Sequence, residues 1–125
     1  MVLPSGRTAP GEARRFAAET LDGWGLGELS DVAILLVSEL VTNAVLHGGD
    51  DGELVIEARS GCLRCSVHDS GGGQPRRRHA GPHDLSGRGL AIVETLAPRW
   101  GVDPRPGSGK IVWFELDTAP DSVPR

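Results

Sequence analysis

Glu39-Leu40-Val41-Thr42-Asn43-Ala44-Val45-Leu46-His47-Gly48 closes an apolar run that begins near Leu29. Leu29, Ala33, Leu36, Val37, Leu40, Val41 and Ala44 recur at three- and four-residue steps, the period of a helix. The spacing predicts a helix from about Glu28 to His47, ended by the turn Gly48-Gly49-Asp50-Asp51-Gly52. Val32, Leu35 and Leu46 fall on the other side of Glu39 and Asn43, so these two polar residues are flanked by apolar ones. Asp31, Ser38 and Thr42 form the expected solvent strip. Spaced i, i+4, Glu39 and Asn43 point the same way. Burying a carboxylate is costly unless something pairs with it. A carboxylate beside an amide on such a helix therefore suggests a hard cation to be held or a proton to be moved. The plain alternative is a half-exposed Glu and Asn at the rim of a core helix. Two glycine clusters further along weigh against it.

Before this helix, Thr8 to Trp24 reads as another, with Ala13, Phe16, Ala17, Thr20, Leu21 and Trp24 on its buried stripe. Thr8 suits the cap, Pro10 the first turn, and Gly23 and Gly25 the stop. Met1 to Ser5 is read as a short edge strand. After it, Leu54, Ile56 and Ala58 alternate against Glu53, Val55 and Glu57, and Ser60-Gly61 is a hairpin turn. Leu63, Cys65 and Val67 then alternate with Arg64, Ser66 and His68, giving an antiparallel pair with one wet face. A polar stretch from Gln74 to Asp84 is a long loop, of the kind usually functional or disordered. Ser86-Gly87-Arg88-Gly89 opens a third helix, striped by Leu90, Val93, Leu96 and Ala97 and ended by Pro98. Trp100 to Asp103 is a short strand, and Lys110 to Leu116 is apolar enough to be a central one. The expected fold class is α+β: a two-layer sandwich, its sheet mixed but mostly antiparallel, with three helices on one face. Residues 1–117 form one domain and 118–125 a loose tail.

Composition narrows the function. A chain of 125 residues is one domain, with a core but little room for a second module. Net charge is −4 and the basic residues are not gathered into a block, which gives no nucleic-acid footprint. No apolar stretch is long enough to span a membrane, and Met1 to Pro10 has no apolar signal core, so a cytoplasmic protein is expected. Cys62 and Cys65 form a C-x-x-C, but within a strand these positions face opposite ways. They are expected to be reduced structural thiols, which disfavours a redox or metal protein.

The chemistry-bearing strings follow in order. Asp69-x-Gly71-x-Gly73 ends a strand, where glycines let backbone approach a ligand and a carboxylate accepts from an exocyclic amine such as that of adenine. An ordinary Gly turn with a turn-type Asp is the commoner use of such a string. Gly87-Arg88-Gly89 at a helix start offers backbone N–H groups, the positive dipole end and a cation to an anion; the ordinary alternative is a flexible helix entry with Arg88 solvated. Pro106-Gly107-Ser108-Gly109-Lys110 imitates the end of a Walker loop, but position 104 is Pro rather than Gly and a strand follows, so it is rejected.

Taken in order, Glu39-x-x-x-Asn43 on a helix, Asp69-x-Gly71-x-Gly73 after a strand, a long loop and Gly87-x-Gly89 opening a helix resemble the GHKL superfamily of ATP-binding domains. The likeness extends from about Thr8 to Leu116 and is nearest to the anti-sigma-factor serine/threonine kinases and their stand-alone actinobacterial relatives. It implies the Bergerat ATP-binding fold, with ATP and Mg²⁺ as cofactors. It implies Asn43 as magnesium ligand, Asp69 on the adenine amino group, and Gly71 and Gly73 at the floor of the base pocket. Residues 74–86 would be a lid, Gly87, Arg88 and Gly89 a phosphate cradle, and Glu39 the general base toward a substrate serine or threonine hydroxyl. The implied partner is a sigma factor or an anti-sigma antagonist protein, with no direct nucleic acid or membrane contact; homodimerisation is left open. Two departures stand out. Many relatives carry Thr where this chain has Ile111, so one polar contact to the base is in doubt, and the N-terminal strand is short. His47 is common at its place in this branch and fits a core-rim role. The rival is a module that binds ATP to shape a partner surface and transfers nothing, which would not require Glu39.

Overall fold

The computed structural model describes residues 1–4, 8–47, 52–69, 91–104 and 109–118. Helix α1 (Ala9–Gly23) is followed by a 3₁₀ turn (Gly27–Leu29) and helix α2 (Ser30–His47). Strands β1 (Gly52–Arg59) and β2 (Cys62–Asp69) come next, then helical turns over residues 91–96, then β3 (Arg99–Pro104) and β4 (Lys110–Asp117).

The buried stripe of α1 is Ala9, Ala13, Ala17 and Leu21, one residue per turn and three of the four of them alanine. Small side chains at a helix contact let the partner backbone come close. α1 packs chiefly on α2, and α2 packs on β2 and β4. Pro10 lies in the first turn of α1 as expected, but Thr8 makes no side-chain capping bond. The C-terminus is a Schellman stop: Leu26 N–H donates to Leu21 O at 2.8 Å and Gly25 N–H to Asp22 O at 3.2 Å. Gly25 takes φ 75° there, a conformation that residues with a Cβ avoid. Leu21 and Leu26, at the two ends of the long bond, are both buried.

Six of the seven residues of the predicted α2 stripe, Ala33, Leu36, Val37, Leu40, Val41 and Ala44, are buried, whereas Leu29 is half-buried in the 3₁₀ turn that precedes the helix. The other apolar residues differ from expectation. Val32 and Leu35 are exposed, and Ser38, expected on the solvent strip, accepts a hydrogen bond from Arg14 Nη1 at 3.1 Å. In the turns over 91–96, Val93 is buried and Ala97 follows it into the core, whereas Leu96, expected on the stripe, is exposed. Val93 and Ala97, four residues apart, lie on the buried face of this segment. Leu90 lies outside the described residues.

The sheet runs β1-β2-β4-β3, and every described pairing is antiparallel. Its register arranges the side chains in rows. Facing α2 are Ala58–Leu63–Leu116, Ile56–Cys65–Phe114–Trp100, Leu54–Val67–Val112–Val102 and, last, Gly52–Asp69–Lys110–Pro104. All rows but the last are apolar. Residues 1–4 extend the β1 edge, with Leu3 N–H bonded to Gly52 O at 2.9 Å and Leu54 N–H to Met1 O at 2.8 Å. The expected edge strand is thus present, as a single bridge from Val2 to Glu53. At the other end of the sheet, Thr118 N–H donates to Gly61 O at 3.0 Å, tying the end of β4 to the hairpin turn.

The outer face is held by side chains rather than by a second layer. Arg99 donates from Nε to Glu115 at 2.7 Å and from Nη2 to Asp117 at 2.7 Å, while Arg64 donates to the second oxygen of Glu115 at 3.1 Å. The Arg64 guanidinium also lies 4.2 Å from the Trp113 ring centroid. Trp113 lies flat over its row neighbour Gly101, where an added Cβ would come within 2.7 Å of the indole. Ser66, one strand over in the same row, is buried and bonded to His68 Nε2 at 3.1 Å. The expected wet face is therefore only partly wet. Cys62 and Cys65 are both free thiols on opposite faces, and burial pushes the Cys65 thiol up to about 12.

Two outcomes follow for stability. Gly101→Ala forces the Trp113 indole off its seat, and overpacking of this kind costs about 1–3 kcal/mol. Urea unfolding should show that loss, and Trp113→Leu should relieve most of it. The Arg99 hydrogen bonds, then those from Arg64, hold the Glu115 carboxyl below its ordinary 4.5. A depressed carboxyl contributes stability that is complete above the unfolded value and is lost as pH falls through the lower folded value. Glu115→Gln should flatten the acid limb of the stability–pH curve below about pH 4.5 relative to the native chain.

Candidate functional site

Three of the predicted site residues lie in the described structure. Glu39 and Asn43 stand one turn apart on α2, both half-buried beside the fully buried Leu40. Asp69 is the last residue of β2 and is only 2% exposed. Because α2 packs on β2 and β4, the Glu39–Asn43 strip belongs to the helix that roofs the strands carrying Asp69. Gly71, Gly73, Gly87, Arg88 and Gly89 lie outside the described residues, as do the expected lid over residues 74–86 and the side chain of His47.

Parity explains why Asp69 is buried. Strand alternation that sends Leu63, Cys65 and Val67 inward also sends Asp69 inward. On β4 the same alternation sends Val112, Phe114 and Leu116 inward, and with them Lys110. The two strands pair Asp69 directly with Lys110, and Lys110 Nζ donates to Asp69 Oδ2 at 3.2 Å. Lys110 keeps 20% of its side chain exposed, so its ammonium reaches from the rim toward a carboxylate that has almost no contact with water. Removing one member of a buried ion pair costs about 3–5 kcal/mol, because the other charge is stranded. Replacing both by apolar groups is often neutral. A charged pair in an otherwise apolar layer is therefore weak evidence for stability and better evidence for chemistry.

Sequence reasoning found Asp69 and missed its partner. In the sequence Lys110 is the last residue of the rejected Walker-like string, the start of a strand, and the residue before Ile111 in the last-strand motif of the resemblance, none of which assigns it a role. The signal was present in the alternation: two positions before Val112, on an apolar parity, a lysine is out of place. Finding its partner required knowing that β4 pairs with β2. Ile111, the position of the doubted base contact, has the opposite parity and pairs with His68 and Asp103.

The donor set bears on a cation. Among the described residues no three His, Cys, Asp or Glu side chains gather into a metal cage. Asn43 offers one amide oxygen, with the Glu39 carboxylate a turn away. That suits magnesium, which keeps several waters and completes its shell with substrate phosphates.

Comparison with known proteins places the fold in a family. A family model described as histidine kinase-, DNA gyrase B- and HSP90-like ATPase matches residues 29–120, so the chain belongs to that family of GHKL ATP-binding domains. Among solved structures, the catalytic domain of histidine kinase ThkA superposes with a TM-score of 0.56 at 17% identity, covering 90% of this chain and 94% of that one. The histidine kinase domain of the blue-light activated histidine kinase from Erythrobacter litoralis EL346 superposes with a TM-score of 0.54 at 27% identity. That alignment covers 86% of this chain and 59% of the other, less than two thirds of its length. No curated protein matches the chain. Among the described residues no helix is long and apolar enough to cross a membrane.

Proposed function

We propose that this ATP-binding domain is a serine/threonine kinase of the anti-sigma-factor type, passing the γ-phosphoryl group of ATP to a protein antagonist. The observation that carries the reading is the Glu39 carboxylate, half-buried and one helical turn from Asn43. Asn43 holds magnesium against the phosphates, and Asp69 accepts from the adenine amine. Gly71 and Gly73 floor the base pocket, and Gly87, Arg88 and Gly89 cradle the phosphates. Glu39 takes the proton from the acceptor hydroxyl as its oxygen bonds to the γ-phosphorus. The bond from that phosphorus to the bridging oxygen breaks, and ADP leaves with the electron pair. Such transfer needs mostly positioning and charge neutralisation, with the base adding a further factor. Val32 and Leu35, exposed on α2 near Glu39 in sequence, suit a protein acceptor rather than a small molecule.

The competing reading is a module that binds ATP and regulates a partner without transfer. Glu39→Gln keeps the shape and removes the basic carboxylate, so nucleotide and partner affinity should stay near native. Single-turnover transfer from labelled ATP to candidate antagonists of the same genome should fall by about 10²–10⁴. Transfer at the native rate would remove Glu39 from catalysis, and tight ATP binding with no phosphoprotein from any candidate would favour the binding module. Asn43→Ala should abolish the magnesium-dependent tightening of ATP while leaving adenosine affinity unchanged, since adenosine has no phosphate for the cation to bridge. Calorimetry with and without magnesium decides that point.

A further inference from the structure

The charge-bearing features outside the Glu39–Asn43 strip are the ion pairs of the outer sheet face and the contact between Lys110 and Asp69. The outer pairs satisfy one another. The Lys110–Asp69 contact is different. It joins the one carboxylate assigned to the base to a cation for which the proposed reaction has no use.

We propose that Lys110 is the positioning residue of the adenine site: across the end row of the sheet its ammonium holds the Asp69 carboxylate aimed for the exocyclic amine. The inference rests on the reading of Asp69 as the adenine acceptor. Asp69 and Lys110 share the inward parity of strands whose other inward residues are apolar, so neither is there by the ordinary logic of a core. They are directly opposed in register and 3.2 Å apart. Their row is flanked by Gly52 on β1 and Pro104 on β3, so no long side chain from either neighbour competes for Asp69. A carboxylate has about four lone-pair sites. An ammonium and an amine, both donors, therefore share it without conflict. Lys110 also fixes the carboxylate plane, because a bond to Oδ2 from one side limits rotation of the group. Lys110 then acts on the base through Asp69 and touches no phosphate.

The test compares ATP with purine riboside 5′-triphosphate, which lacks only the exocyclic amine. The ratio of their affinities isolates the contact to Asp69 from every phosphate and packing effect. Asp69→Asn should collapse the native preference for ATP, and Lys110→Met should cut that preference by about tenfold, the worth of a hydrogen bond to a charged acceptor. Lys110→Arg should restore most of it, and Lys110→Met added to Asp69→Asn should change it no further. Should the Met variant not fold, Lys110→Gln removes the charge while keeping length and a donor. A structural role alone would weaken both nucleotides equally and leave the ratio native in the Lys110 variants, which overturns the inference while Asp69 stands. A native ratio in Asp69→Asn overturns the adenine reading itself.

Discussion

The pairing of β2 with β4 is the constraint from which the rest of this fold follows. It joins strands whose facing ends, Asp69 and Lys110, are 41 residues apart in the chain, and it runs unbroken over eight facing positions from Cys62↔Asp117 to Asp69↔Lys110. A one-residue slip would turn the inward faces of both strands outward. The apolar set Leu63, Cys65, Val67, Val112, Phe114 and Leu116 holds the register because burying it against α2 is possible in one alignment only. Hydrophobic burial thus fixes the position of a charged pair that has no part in the burial. Asp69 meets Lys110 because the residues two, four and six positions away are buried in register.

Most of the fold was legible because it rests on local periodicity. The α2 stripe, the β1–β2 hairpin and the central place of β4 all came from spacing and β-branched or aromatic content. The misses lie where tertiary contact decides. Thr8 is at the right place for a cap, yet its side chain finds another geometry. Leu96 has the right spacing for the core, but the buried face is set by Val93 and Ala97, and Leu96 is exposed. Ser66 has outward parity, yet it is buried and bonded to His68, a pairing that outward alternation alone does not reveal.

The site divides along the same line. Glu39 and Asn43 were legible as a pair because i, i+4 on a helix is a local relation. Asp69 was legible because it opens a glycine string. Lys110 was not, since its meaning depends on a partner strand that the sequence does not name. Residues of a site that lie on one element can be read from spacing, whereas residues that meet across elements need the topology. The strand order β1-β2-β4-β3 supplies that topology, and with it the partner that Lys110 meets.

A two-layer sandwich has few places for buried charge. The middle of the inner face is closed, since an ion pair there would displace apolar contacts on both layers. The outer face of this sheet is also closed, its charges bound to each other around Glu115 and Arg99. What remains is the end row, where the apolar rows stop and the flanking strands contribute only Gly52 and Pro104. There the Asp69 carboxylate is shielded from water and paired with Lys110. That geometry favours recognition by a fixed hydrogen-bond acceptor over recognition by shape alone. The two kinds of polar residue are placed apart: the sheet end carries the buried Asp69–Lys110 pair, and the half-buried side of α2 carries Glu39 and Asn43.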